Sequence, residues 1–232
     1  MNAVDDDGCT AFHVAAFDGK KAIIKTLVHL GAEVTATSNN GRTAMHEAGT
    51  GEVVRWLAAR GLSIQGDGEN ESPLQRVCTR GRVKAVRALI ELGADVHYWH
   101  GEGVLQYAVE CEDERDAVQI TQLLLAAGAD VRVVDENGQT PLHLVSHAPC
   151  VDLLLDAGAD LEARDWEGRT PIGAAAAASD LPHKSELLLR MAARGANLVN
   201  TGGEPGLVKR CVEKLRGWSR RSLPGWMIAL AR

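Results

Sequence analysis

The sequence predicts an all-α fold, built as a solenoid of stacked helix–turn–helix repeats, and three observations support this prediction. A short helix-start motif recurs six times, most clearly as Thr-Pro-Leu-His at residues 140–143. Each copy is followed by an apolar helical segment that ends in a glycine, and turn-forming dipeptides such as Asn137-Gly138 separate the copies. Because one unit of this size cannot bury its own apolar face, we expect neighbouring units to stack and share a core.

The residue types at the start and the end of each unit fit this interpretation. Pro141 suits the first position of a helix, where a backbone N–H is not needed, and the hydroxyl of Thr140 can cap the same helix. Gly158 supplies the left-handed conformation that ends a helix without a Cβ clash. Each unit therefore carries its own start and stop signals.

The spacing of the motif indicates six repeats. The steps between successive copies are 33, 29, 31, 37 and 30 residues. The copies begin at Thr10, Thr43, Ser72, Gly103, Thr140 and Thr170. The glycines that close the units are Gly31, Gly61, Gly93, Gly128, Gly158 and Gly195.

Six motifs in register, most of them followed by Gly-Ala-Asp or a close variant, resemble the ankyrin repeat. The resemblance covers residues 1–200 and implies repeats at about 5–37, 38–66, 67–99, 100–134, 135–164 and 165–199. It implies an ankyrin-repeat solenoid with β-hairpin fingers between units and a concave groove lined by fingertips and inner helices. In this family the motif histidine bonds to backbone and to the motif threonine, and the groove binds protein partners.

The length of each unit departs from the pattern in an informative way. From motif start to closing glycine, the first and third repeats run 21 residues, whereas the second and fifth run 18 and the fourth and sixth run 25. In the short units we expect either a helix or the turn between the two helices to be shorter by about one helical turn. The long units carry their extra residues around 111–116 and 179–184, where we expect longer inter-helix loops on the groove side.

The C-terminal segment, residues 201–232, does not continue the repeat motif. Leu207, Cys211, Leu215 and Trp218 fall on one helical face, so the segment is predicted to form a basic amphipathic helical cap or a degenerate seventh repeat. A second interpretation is a short helical box, F-box-like or SOCS-box-like, that recruits a ubiquitin ligase. A third is binding of the basic helix to anionic lipid or nucleic acid.

Charge and cysteine content indicate which partners and which cellular compartment the protein suits. The net charge of −6 divides into −12 for residues 1–204 and +6 for the remainder, so the array is not expected to bind nucleic acid. The five cysteines form no CxxC pair, which favours a reducing compartment. No apolar run reaches the roughly 18 residues of a membrane span, and residues 1–8 lack the apolar core of a signal peptide. We expect an intracellular monomer, cytoplasmic or nuclear.

The sequence contains no recognisable catalytic or metal-binding pattern. Glycines form neither a dinucleotide-binding motif nor a phosphate loop, and His97 and His100 have no further ligand set beside them. We therefore expect no enzyme activity, no cofactor and no metal. The residues assigned to the structural motif are Thr10, His13, Thr43, His46, Thr140, His143 and Thr170.

Aromatic and polar residues on predicted fingers and inner helices are the candidates for partner binding, because aromatic side chains dominate interface energetics. For Trp99 and Trp166 the alternative is that each ring lies flat against the neighbouring finger and only packs. Tyr107 could face the groove or the core. The candidates are Phe17, Asn39, Asn40, Tyr98, Trp99, His100, Tyr107, Arg164 and Trp166.

The predicted function is that of a non-catalytic protein–protein interaction module, or scaffold, that binds a protein partner through the concave groove. The alternative is a substrate adaptor whose C-terminal tail recruits a ubiquitin ligase. The sequence does not identify the partner.

Overall fold

The computed structural model describes residues 2–66, 70–178 and 184–199, and the chain divides into two compact units, residues 1–130 and 131–232. The C-terminal segment 201–232 lies outside the described residues. Both its cap and its ligase-recruiting interpretations therefore stay predictions, as does the loop expected at residues 179–183.

In the first unit the first, third and fourth repeats are helix pairs, as predicted, and the second keeps its outer helix. Inner helices α4 and α6 pack together, and outer helix α5 packs between α3 and α7. The elements are α1 (Ala11–Phe17), α2 (Lys21–His29), α3 (Gly51–Ala58), α4 (Pro73–Thr79), α5 (Val83–Glu91), β1 (Trp99–His100), β2 (Glu102–Gly103), α6 (Val104–Val109) and α7 (Glu114–Ala126).

The second unit repeats this layering. Inner helices α8 and α10 pack against each other, and so do outer helices α9 and α11. The elements are α8 (Pro141–Leu144), α9 (Ala148–Asp156), α10 (Pro171–Ala177) and α11 (Lys184–Ala193). The prediction of an all-α repeat fold is confirmed, apart from the four residues in strands β1 and β2.

The missing turn of the two short repeats falls on the inner helix. In the fifth repeat α8 has only four residues, and in the second repeat residues 44–47 form a turn instead of a helix. Gly49 follows that turn and lies so close to α1 that a Cβ there would come 2.1 Å from the Phe17 carbonyl oxygen. The outer helix α3, with eight residues, keeps its ordinary length.

The expectation of a longer loop at residues 111–116 is wrong. The extra residues lengthen the outer helix instead, because α7 has 13 residues whereas α5 has nine. The helix begins inside the expected loop, where the Asp113 carboxylate accepts a hydrogen bond from the Asp116 N–H, 3.0 Å away, and so caps the first turn.

The joints between repeats are mostly turns, so the prediction of β-hairpin fingers holds at one joint of the described residues. There β1 pairs antiparallel with β2, with Trp99 opposite Gly103 and His100 opposite Glu102. At the joint around Asp135, the side-chain oxygen of Asp135 accepts hydrogen bonds from the N–H groups of Asn137 (2.9 Å) and Gln139 (2.7 Å). A buried carboxylate thus stabilises the turn, in place of paired strands.

Among the described helices, none combines the length and the apolar character that crossing a membrane requires.

Candidate functional site

Where the motif carries a histidine, its imidazole links the start of one repeat to the next repeat. The N–H of Thr10 donates to His13 Nδ1 (3.2 Å), and the Thr10 hydroxyl lies 3.0 Å from the same nitrogen. Because Nδ1 must accept from this N–H, the proton sits on Nε2, which donates to the Arg42 carbonyl of the following repeat (3.1 Å). Equivalent bonds join Thr43 to His46, and join Thr140 to His143 and Arg169.

In the third and fourth repeats glutamine replaces the motif histidine. The sequence did not show that this glutamine makes the same hydrogen bonds. The Gln75 side-chain oxygen accepts from the Ser72 N–H (2.8 Å), and its amide nitrogen donates to the Glu102 carbonyl of the next repeat (2.7 Å). Gln106 likewise accepts from the Gly103 N–H (2.5 Å). An amide offers the same acceptor and donor as the neutral imidazole.

Burial favours the neutral form of two of these imidazoles. Desolvation lowers the pKa of His46 and of His143 below the ordinary value of 6.5, although nearby acids and carbonyls oppose the shift. The neutral form is the one that the hydrogen bonds require, because a protonated Nδ1 could not accept from the threonine N–H. The position therefore stabilises the stack of repeats.

A cleft of about 250 Å³ opens beside α1 in the first unit. Its apolar part comes from Val14 and Phe17 of α1, and Asn40 and Arg80 are among the polar residues that line it. Val14 is 52% exposed, whereas its helix neighbours Phe12 and Ala16 are buried. The cleft thus places an exposed apolar side chain among charged and polar groups.

Three residues that line the cleft, Arg42, Glu47 and Arg76, belong to a network of half-buried ion pairs. Arg76 bonds to Glu47 (3.2 Å) and lies 3.7 Å from Glu71, which in turn bonds to Arg42 (2.9 Å). Two arginines and two carboxylates compensate each other here, so this network fixes the wall of the cleft and adds little net charge.

The acidic side of the cleft is the joint that precedes α1. Burial raises the pKa of the Cys9 thiol, and the carboxylates of Asp5, Glu47 and Asp7 raise it further against the opposing effect of Arg42. The potential at Cys9 is therefore negative. The thiol stays protonated and is a poor nucleophile there.

Phe17 lies at the opposite side of the cleft, under two guanidinium groups. The Cζ atom of Arg82 is 4.6 Å from the ring centroid and that of Arg80 is 5.3 Å from it. Both distances are within cation–π range. The ring is half-buried, so Phe17 holds two positive charges at the end of α1.

Of the candidates around β1, one is packed within the first unit and another is exposed to solvent. The Tyr98 hydroxyl donates to the Asn70 carbonyl (2.7 Å), and its ring lies against Gly66, where a Cβ would come within 2.3 Å of it. Trp99 is 50% exposed and His100 is half-buried. Tyr98 therefore fixes the hairpin, and Trp99 is the more exposed of the two residues of β1.

Two further candidates are engaged inside the first unit. Asn39 bonds to the preceding joint, since its N–H donates to the Asp7 carbonyl (2.9 Å) and its side chain donates to the Asp6 carbonyl (3.0 Å). Tyr107 is half-buried on α6, where desolvation and nearby carboxylates, Glu102 foremost, raise the pKa of its phenol to about 12.

Trp166, in the second unit, combines the two roles that the sequence left open. Its indole N–H donates to the Glu136 carbonyl (3.0 Å), and one face of the ring covers Gly138 of the preceding joint. The side chain packs there and is nevertheless 72% exposed. Arg164, two residues before Trp166, is exposed, and its side chain donates to the Gly168 carbonyl (2.5 Å).

The structure brings together only some of the candidates. Phe17 and Asn40 line one cleft, Tyr98–His100 share one hairpin, and Arg164 and Trp166 belong to one joint of the second unit. Sequence reasoning missed Val14 and Arg80. Val14 could have been found as an apolar residue on the face of α1 opposite the buried Phe12, Ala15 and Ala16, but the position of Arg80 depends on packing between repeats.

Comparison with known proteins identifies the class. A family model described as ankyrin repeats (3 copies) matches residues 1–66, 23–99 and 105–200. These matches cover most of the chain, and the chain belongs to the ankyrin-repeat family, a family of protein–protein interaction modules that are typically non-catalytic.

Individual relatives are more distant. The chain is 31% identical over 144 residues to a probable 26S proteasome regulatory subunit p28 from Saccharomyces cerevisiae, 58% of this chain. It is 29% identical over 153 residues to the human B-cell lymphoma 3 protein and 31% identical over 129 residues to a putative palmitoyltransferase ZDHHC13 from Danio rerio, 60% and 53% of this chain. The chain spans 61%, 33% and 19% of the lengths of these relatives.

Solved structures agree on the fold. The ankyrin repeat domain of human ASB11 superposes with a TM-score of 0.73 at 24% identity, over 91% of this chain and all of that domain. The ankyrin repeat domain of Bcl-3, described as a unique member of the IkappaB protein family, superposes with a TM-score of 0.64 at 26% identity over the same shares.

Proposed function

We propose that this chain is a non-catalytic interaction module that binds a protein partner through the groove side of its first unit. We define this groove surface by Val14 and Phe17 of α1, Asn40 of the following joint, and Arg80 at the end of α4. The observation that supports the proposal best is the exposed Val14 side chain at the cleft.

The composition of the groove surface suits a protein partner. An apolar centre formed by Val14 and Phe17 is surrounded by polar and charged groups, which is the arrangement of protein interfaces. The wall behind it is fixed, because the Glu47–Arg76 pair and its neighbours are already compensated. Partner binding would therefore bury Val14 with little rearrangement.

Site-specific cross-linking in an extract of the source cells tests this proposal. A photoreactive amino acid is placed at Val14, and in a matched variant at Ile23, which is 50% exposed on the outer helix α2. The proposal expects a protein cross-linked from position 14 and not from position 23. Equal cross-linking from both positions would contradict it.

A further inference from the structure

We propose that Arg80 and Arg82, held over the ring of Phe17, form a subsite that receives the carboxylate of an acidic side chain of the protein partner. This inference rests on the proposed function and names the chemistry of one contact in it. We refer to these three residues as the guanidinium subsite.

Geometry is the first support for this subsite. Two guanidinium carbons lie 4.6 and 5.3 Å from one ring centroid, so two positive charges converge on a single aromatic side chain. Phe17 and Arg80 also line the cleft, so an incoming group can reach the subsite from the groove. Convergent guanidinium groups match the two oxygens of a carboxylate.

The second support is that neither arginine of the subsite is held in an ion pair by another described residue. Arg42 and Arg76 pair with Glu71 and Glu47, but Arg80 and Arg82 form no ion pair with a carboxylate in the described part of the chain.

The third support is a buried donor without an acceptor. The Arg82 Nε atom is buried and has no hydrogen-bond partner among the described residues. Asp116 is close enough for Arg82 to lower the pKa of its carboxyl, against the raising effects of desolvation and of Asp113. Two guanidinium groups face this one carboxylate, so the subsite keeps a net positive charge.

An acidic protein segment fits this arrangement better than an isolated anion does. The apolar contacts at Val14 and Phe17 need an apolar neighbour next to the acidic group, and a protein chain supplies both in one ligand. We expect an Asp or Glu in the partner, placed one or two side chains away from the residue that covers Val14.

Selection from a random peptide-display library on the full chain tests the inference. The test variant is Arg80→Glu/Arg82→Glu. The matched control is Arg87→Glu/Arg115→Glu, which makes the same charge change on exposed arginines of α5 and α7. The wild-type chain and the control are expected to enrich peptides with a recurrent Asp or Glu, and the test variant is expected to lose this preference. Affinity for a selected peptide should fall about tenfold or more in the test variant alone.

Two measurements guard against a folding defect. Arg80→Gln/Arg82→Gln removes the charges without reversing them and should show the same loss, while circular dichroism monitors the fold. For the wild-type chain, affinity for the selected peptide should fall as NaCl rises from about 0.05 to about 0.5 M, because salt screens the charge pair.

The outcomes separate the inference from the proposed function. Selected peptides that depend on Val14 but carry no recurrent acid, and that bind the test variant as well as the wild type, overturn the guanidinium subsite and leave groove binding intact. Selection of no peptide that depends on Val14 counts against groove binding and overturns the inference with it.

Discussion

The indole of Trp166 lies against the backbone of Gly138 in the preceding joint. A Cβ at Gly138 would come within 2.6–2.9 Å of three ring atoms, and the glycine has a φ of +74°. The absence of a side chain at Gly138 is thus what allows the two joints to pack.

Gly138→Ala should therefore destabilise the second unit more than an ordinary glycine replacement does. The matched control is Gly158→Ala, where φ is +93° but nothing lies within 4 Å of an added Cβ. In the control we expect the backbone strain alone to lower the free energy of unfolding by about 1–2 kcal/mol. Gly138→Ala should lower it by about 1 kcal/mol or more beyond that. Urea unfolding measures both. If Trp166→Ala does not reduce the difference, the ring contact is not its cause.

The loss of stability on replacing His143 should depend on whether the new side chain can make the same two hydrogen bonds. His143→Ala leaves the Thr140 N–H and the Arg169 carbonyl without their partner and should cost about 1–3 kcal/mol of unfolding free energy. His143→Gln should cost clearly less, because Gln75 makes the equivalent two bonds in the third repeat. Equal destabilisation in urea unfolding would show that the amide cannot replace the imidazole here.

Stability should fall on mild acidification. His46 and His143 have pKa values below 6.5 in the folded chain, so below pH 6.5 the unfolded chain binds more protons than the folded one. The unfolding free energy should therefore decrease as the pH falls from about 7 to about 5. His46→Gln/His143→Gln should reduce this dependence. A double variant with the same pH profile as the wild type would contradict the assignment.

The ion pair between Glu47 and Arg76 should stabilise the first unit more than a surface pair does. Their side chains are 11% and 15% exposed, so Glu47→Gln leaves a half-buried cation short of its partner, at a cost of about 1–3 kcal/mol. Glu52→Gln is the control, because Glu52 pairs with Lys21 in solvent, and it should change stability little. Comparable losses in thermal unfolding would mean that burial does not set the strength of these pairs.

Much of the fold could be predicted because its start and stop signals are local. Pro141 and Gly158 specify a helix start and a helix end from their own backbone preferences, and the repeat period supplies the stacking. The length of α7 could not be read from the spacing. Four extra residues are compatible with a loop or with one more helical turn, and the capping carboxylate of Asp113 favours the turn.

The candidate site was less predictable, because it depends on contacts between repeats. Phe17 was selected as an aromatic residue, but its contacts with Arg80 and Arg82 join side chains more than sixty residues apart in the chain. Likewise, the sequence predicted that Asn39 could contact a partner, yet its side-chain amide donates to the Asp6 carbonyl of the preceding joint.

The most direct test of groove binding is the affinity of the partner segment cross-linked from Val14 for two single variants. Val14→Glu and Ile23→Glu each place a carboxylate at an apolar position of nearly equal exposure, 52% and 50%. We expect Val14→Glu to weaken binding about tenfold or more, since it buries a charge in the interface, and Ile23→Glu to leave binding unchanged. Unchanged affinity in a folded Val14→Glu variant would contradict binding through this surface.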